Sequence, residues 1–290
     1  MRTAALLLVC GLTACSVSPD TTTASSPSPT DAGSATQPVP SASPAESASP
    51  DAPSQARRLA GVPDSFVRVR DILPTALFEI RYAGEHNFLG RPVTGYTAPE
   101  CWLTRPAAEA LQKAQRQVSR SGYTIKIYDC FRPQRAVDDF VEWSGDPADT
   151  TTKAEFYPTL RKTQLFPLGY IAAQSGHSRG STLDLTLVPK GEGVSPRWTS
   201  GDPLVACTAP VGRRFPDTSI DMGTGFDCFN PLANTADPDI AAGQRANRRL
   251  LLRAMRKAGF TNYPEEWWHY TLKDEPYPET YFDAEITRGS

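Results

Sequence analysis

Between residues 16 and 56 the chain carries no aromatic side chain, and Val17 and Val39 are its only branched apolar residues. The rest of the stretch is almost entirely Ser, Thr, Pro, Ala, Asp, Gln and Gly. A segment with so little to bury cannot offset the entropy of ordering its backbone, and its frequent prolines favour an extended chain. Any core must therefore come from residues 57–290, a length sufficient for one substantial domain.

Ahead of this polar stretch, Arg2 precedes an apolar run that ends in Leu12-Thr13-Ala14-Cys15. A positive start, a short apolar region and small residues before a cut describe a secretory signal, too short to span a bilayer as a mature helix. The cysteine just after the small residues resembles the bacterial lipoprotein pattern, in which Cys15 would receive lipid and become the new N-terminus. An ordinary signal peptide that happens to contain Cys15 is the alternative. The organisation expected is thus a leader over 1–14, a tether over 15–56 and a folded domain over 57–290. Such a protein is exported and held on the outer face of a bacterial membrane, in the cell envelope, through the lipid anchor only. The formal net charge is -2 and no basic stripe is present, which argues against a nucleic-acid partner.

Six cysteines are present. Cys10 leaves with the leader and Cys15 is the lipidation candidate, so Cys101, Cys130, Cys207 and Cys228 remain. An even number in an exported chain suggests two disulfides, with three pairings open. The local pairing is Cys207–Cys228 across a loop rich in Pro and Gly, which would leave Cys101–Cys130 tying a helix start to a strand end. No pair has the close spacing of a structural zinc site.

Hydrophobic patterning places two short strand-like stretches in 66–82, separated by Pro74. It predicts a helix over Arg105–Ser119, a strand over Tyr123–Tyr128, a helix from Gln134 to about Trp143 and a strand over Leu183–Val188. A second helix runs from Gln244 to Ala258, closed by Gly259. Residues 144–170 read as irregular, 189–240 as a long loop, and EWWHYTL near the end as a strand. A loop that long in a compact domain borders a site more often than not. The sum is α+β, helices flanking an antiparallel or mixed sheet.

The chain has three histidines. His177 stands seven residues before Asp184, with Ser-Arg-Gly-Ser able to turn the chain between them. Alone this spacing describes a histidine satisfied by a carboxylate, although Asp184 sits in an apolar strand where an unpaired charge is costly. Glu266 stands three residues before His269, a spacing that faces opposite sides of a regular strand. A bend or bulge near Trp267–Trp268 would bring the two together; otherwise the tryptophans are core and Glu266 lies on the surface. Two imidazoles and one carboxylate are the three ligands a catalytic zinc takes, with one position open to water and Glu266 beside it as proton acceptor. His86 reads as a surface or pocket-rim residue with no ligand role.

SGHSRGSTLDLTL, GFTNYPEEWWHY and DEPYPETYFD resemble stretches of the zinc-dependent D-alanyl-D-alanine dipeptidases of the vancomycin-resistance type, within the peptidases of the Hedgehog/D,D-peptidase-like fold. RYAGEHNFLG, YDCFRPQRAV and DMGTGFD extend the resemblance over about 66–283. It implies that fold, with a central, mostly antiparallel sheet. It implies one Zn2+ per chain held by His177, Asp184 and His269, with Glu266 as catalytic base and acid and Arg132 steadying the oxyanion. Asp227 then falls on a carboxylate suited to the dipeptide's free ammonium, with Ser175 in the same pocket. The substrate implied is D-alanyl-D-alanine or a peptidoglycan-derived peptide, cleaved during cell-wall peptide turnover.

The chain departs from the family in its exported leader, in Gly176 where a serine commonly precedes the first metal histidine, and in a longer segment between Val188 and Met222. If that segment displaced Asp227, the pocket could admit stem peptides. A D,D-carboxypeptidase trimming stem peptides is therefore the alternative. A wall-binding lipoprotein with structural zinc and no catalysis is a third reading, one that would need neither Glu266 nor Arg132.

Overall fold

The computed structural model describes residues 57–290; the leader, Cys15 and the tether lie outside them. Within them a five-stranded sheet has the order β2-β4-β5-β7-β6. Its strands are β2 (Leu77–Phe78), β4 (Tyr123–Asp129), β5 (Thr182–Pro189), β6 (Phe260–Asn262) and β7 (His269–Leu272). β2 pairs with β4 in parallel and every other pairing is antiparallel. A second, two-stranded sheet pairs β1 (Phe66–Arg68) with β3 (Trp102–Thr104). This is the α+β class with a mostly antiparallel central sheet expected from the sequence.

The long helices α2 (Arg105–Ser119) and α6 (Ala242–Ala258) pack against each other, α2 also on β4 and α6 on β6. Gly259 ends α6 at φ 104°, a left-handed stop that a residue without Cβ takes readily. Helix α3 (Gln134–Gly145) follows β4. Single-turn helices fill places the sequence leaves irregular: α1 (Val69–Ile72) between the first two strands, and α4 (Lys153–Phe156) and α5 (Lys162–Leu165) within 144–170. From 190 to 230 the chain carries no helix or strand, as the Pro- and Gly-rich pattern implies.

Leu183, Leu185 and Leu187 are fully buried on one face of β5, and Asp184 and Thr186 alternate with them on the other. Burying each leucine stabilises the fold by roughly 1.5–3 kcal/mol, enough to hold β5 central even though its other face is polar.

Candidate metal centre and active site

Asp184 of β5 stands opposite His269 of β7 and, on its other side, opposite Asp129 at the end of β4. Directly opposed residues of antiparallel strands share a face, so these three form a row across the sheet. A register shift between Ile127 and Asp129 completes it; without that bulge Tyr128 would stand opposite Asp184. His177 joins the row from a 3-10 turn, Gly176–Arg179, whose N-cap is Ser175: its hydroxyl accepts the His177 N–H at 3.3 Å. Gly180 ends the turn at φ 80°, where a Cβ would lie 2.2 Å from the Phe66 ring, so only glycine fits.

Glu266 arrives by a turn rather than a bulge. The strand expected to begin in EWWHYTL starts only at His269, because residues 263–268 curl: the Glu266 N–H donates to the Tyr263 carbonyl at 3.1 Å and the His269 N–H to the Glu266 carbonyl at 3.3 Å. Asn262 pins the curl by donating to the carbonyls of Glu266 and His269. Trp267 and Trp268 are buried core aromatics, Trp267 donating to the Thr224 hydroxyl, while the Glu266 side chain faces the cleft. The i, i+3 conflict of a regular strand thus disappears.

The donor atoms of His177, Asp184 and His269 all lie within 4.8 Å of one another. His177 Nε2 is 3.3 Å from His269 Nδ1 and 3.4 Å from Asp184 Oδ2, and His269 Nδ1 is 3.2 Å from Asp184 Oδ1. Ligands bonded tetrahedrally at zinc's usual lengths stand about 3.4 Å apart, so the three donors fit around one such ion. Two further observations agree. Asp184 Oδ1 is buried without a hydrogen-bond partner. His177 Nδ1 lies 2.7 Å from the Cys130 carbonyl, which can only accept, so Nδ1 carries the proton and Nε2 presents its lone pair.

The three donors also perturb one another, and His269 must give up a proton before it can bind a metal. Burial works to raise the Asp184 pKa, yet the neighbouring histidines hold it well below the carboxylate range. Burial works to lower that of His269, but the adjacent Asp184 and Glu266 carboxylates push it up to about 9. His269 Nδ1 is 3.3 Å from Glu266 Oε2, which places that carboxylate beside the centre.

Arg132 sits next to the donors, its guanidinium 3.6 Å from Asp184 Oδ2. Asp129 fixes it, accepting from Arg132 Nε at 2.9 Å while also accepting the Tyr96 hydroxyl at 2.6 Å. Asp129 is not among the residues expected in this role from the sequence; its i, i+3 spacing to Arg132 is the signal that points to it. Asp227 and Ser175 line the same cleft, about 440 Å³, as Arg132, Glu266 and His269. Asp227 Oδ2 accepts the Tyr82 hydroxyl at 2.8 Å, a contact across 145 residues. Burial, with Asp184 adding to it, drives the Asp227 pKa well above normal against the opposing pull of Tyr82 and Arg132. His86, expected at the surface or a rim, is buried instead. It lies between Arg81 and Glu155, stacked on Trp198, because the longer segment folds over it, and it is not among the metal donors.

Both disulfides form as expected, Cys101–Cys130 and Cys207–Cys228. Cys130 is the residue whose carbonyl holds His177, and Cys228 is the neighbour of Asp227.

The chain also matches known proteins. A family profile described as D-ala-D-ala dipeptidase matches residues 63–195 and 216–287, passing over 196–215. A D-alanyl-D-alanine dipeptidase of Streptomyces coelicolor is 39% identical over 221 residues, 76% of this chain and 98% of the relative. One of Enterococcus faecalis is 35% identical over 226 residues, 77% of this chain and 99% of the relative. One of Escherichia coli is 26% identical over 201 residues, 69% and 81% of the two chains. With the profile matched on both sides of 196–215 and two relatives spanned nearly end to end, the chain belongs to the D-ala-D-ala dipeptidase family of peptidases.

Proposed function

We propose that the protein is a zinc peptidase that hydrolyses free D-alanyl-D-alanine, exported and lipid-anchored at Cys15, and that it acts in cell-wall peptide turnover. The observation that carries the reading is Asp227, a buried carboxylate in the cleft that also holds the metal donors, Arg132 and Glu266. A bound zinc ion would lower the pKa of a water and polarise the scissile carbonyl.

The protein's own groups do the rest. The Asp227 carboxylate pairs with the substrate ammonium and sets which peptide bond faces His177, Asp184 and His269. The Glu266 carboxylate takes a proton from the attacking water and returns it to the leaving amine. Arg132, held by Asp129, donates to the oxygen on which negative charge grows, where a cation counts most. Cys130 keeps the His177 ring turned with Nε2 toward the centre. Export is supported by the leader pattern and by two disulfides, which persist in oxidising compartments.

Ninhydrin-detected hydrolysis by the purified protein, with and without chelator, tests the reaction. Chelator-sensitive cleavage of D-alanyl-D-alanine and none of its N-acetyl form is expected. The cleft is roomier than two alanines need, which favours the D,D-carboxypeptidase as second reading; cleavage of the acetylated form would establish it instead. Absence of palmitate label from the wild type would remove the lipid anchor, and label that survives in a Cys15→Ala protein would move it off Cys15.

A further inference from the structure

The family profile passes over residues 196–215, and that insertion contains Cys207, which is bonded to Cys228 beside Asp227. Among the described residues only Thr218 and Asp227 are non-glycine residues with positive φ, 60° and 55°. Such a conformation is uncommon for a residue with a Cβ and persists only where its surroundings enforce it. Part of what holds the chain around Asp227 comes from the insertion. Gly225, two residues before it, donates its N–H to the Cys207 carbonyl at 2.8 Å, and Cys228, one residue after it, is bonded to Cys207 through sulfur. Cys207 is itself fixed by donating to the Glu155 carbonyl at 2.9 Å, next to the Phe156 carbonyl that accepts from Phe229 at 2.8 Å. Arg214 donates to the Cys207 carbonyl at 3.2 Å and pairs with Asp221 at 3.1 Å, joining the insertion to the chain that leads into the loop.

We propose that the insertion, through the Cys207–Cys228 bridge and Arg214, positions Asp227 and thereby sets the enzyme's preference for a substrate with a free ammonium group. The insertion is a specificity element built beside the ordinary family cleft. It touches no metal donor, so its removal acts on substrate recognition and not on the metal. This rests on the reading of Asp227 as the ammonium's partner. A carboxylate shifted by an ångström leaves the ammonium in a poorly solvated cleft without its counter-charge, a loss felt only by ligands that carry one.

The test compares D-alanyl-D-alanine with propionyl-D-alanine, the same skeleton with hydrogen in place of the ammonium, as substrate (KM) and as competitive inhibitor (Ki). Full-length wild type, Cys207→Ala/Cys228→Ala and Arg214→Gln are measured, each with its zinc content. In the wild type the KM is expected far below the Ki. In the double variant the KM should rise about tenfold or more while Ki and zinc stay unchanged, and Arg214→Gln should move the same way by less. Arg214→Gln decides alone if the double variant does not fold. An unchanged KM in variants that hold zinc overturns the proposal, as does an equal rise in KM and Ki, which marks a general loosening. Equal KM and Ki in the wild type would sink the ammonium reading itself, a separate failure.

Discussion

Asp184 and His269 reach the candidate metal centre from neighbouring strands of a hydrogen-bonded sheet, opposed residue to residue, whereas Asp227 reaches the cleft from irregular chain at positive φ. The first arrangement is held by backbone ladders that cannot slip by one residue without turning Leu183, Leu185 and Leu187 out of the core. The second is held by side chains and one sulfur–sulfur bond. Each end also has its own disulfide, Cys101–Cys130 behind His177 and Cys207–Cys228 behind Asp227. The candidate metal end is thus fixed by the fold, and the Asp227 end is held by groups added to it.

The hardest blow to this contrast falls on the metal end. His269→Ala should abolish zinc binding and with it all hydrolysis, while the sheet persists, since β7 keeps its pairing to β5 and β6. Zinc by atomic absorption and far-UV circular dichroism check both parts. Full zinc in the variant would show that the register row is not the metal centre.

Arg132→Ala comes next. The guanidinium lies beside the donors but bonds to Asp129, so kcat should fall roughly a hundred- to a thousandfold with zinc retained. Atomic absorption beside steady-state kinetics separates the two effects, and turnover close to wild type would remove Arg132 from the oxyanion role.

Those two positions stand in motifs that can be read along the chain, and their neighbours explain why others do not. Arg105–Ser119 and the helix ended by Gly259 announce themselves by periodicity and a stop residue. β6 is three residues long and follows that glycine directly, too short for any alternation to register. The curl at 263–268 depends on Asn262 and on the burial of two tryptophans, which only the assembled core supplies. Tyr82 meets Asp227 across 145 residues, and no local pattern encodes such a contact. The His177, Asp184 and His269 set was legible through the resemblance of the stretches that carry it, since the His177–Asp184 spacing alone describes a satisfied histidine; Asp129 was not, because a carboxylate three residues from an arginine describes an ordinary ion pair.

The two disulfides sharpen the comparison by holding stability constant. They close spans of 29 and 21 residues, and constraint of the unfolded chain makes each worth roughly 3–4 kcal/mol. Urea unfolding should therefore show similar losses for Cys101→Ala/Cys130→Ala and Cys207→Ala/Cys228→Ala. Their kinetics should differ. The first frees the carbonyl that orients His177, so zinc affinity should fall about tenfold or more; the second should leave zinc alone. Equal zinc losses in both would mean that the two ends are not independent.

The smallest effect concerns the ion pairs under the longer segment. Asp217 accepts the Tyr128 hydroxyl at 2.6 Å, and Glu79 pairs with Lys126 at 3.1 Å and Arg81 at 2.6 Å. Burial works to raise the pKa of Asp217, but Lys126 and Arg81 outweigh it and hold the carboxyl below its ordinary value; Glu79 behaves the same way, with Arg81 and Lys126 opposing burial. A carboxylate depressed in the folded state contributes stability that is fully present above its unfolded value and is lost as pH falls through the folded one. Asp217→Asn should therefore destabilise the protein by about 1–2 kcal/mol at neutral pH. The gap to wild type should close as pH drops below the ordinary aspartate range, followed by urea unfolding at stepped pH. Because Asp217 belongs to the segment and not to the register row, zinc content should not change at neutral pH. Loss of zinc in that variant would tie the segment to the row of donors and erase the distinction between groups fixed by sheet register and Asp227, held by an addition to it.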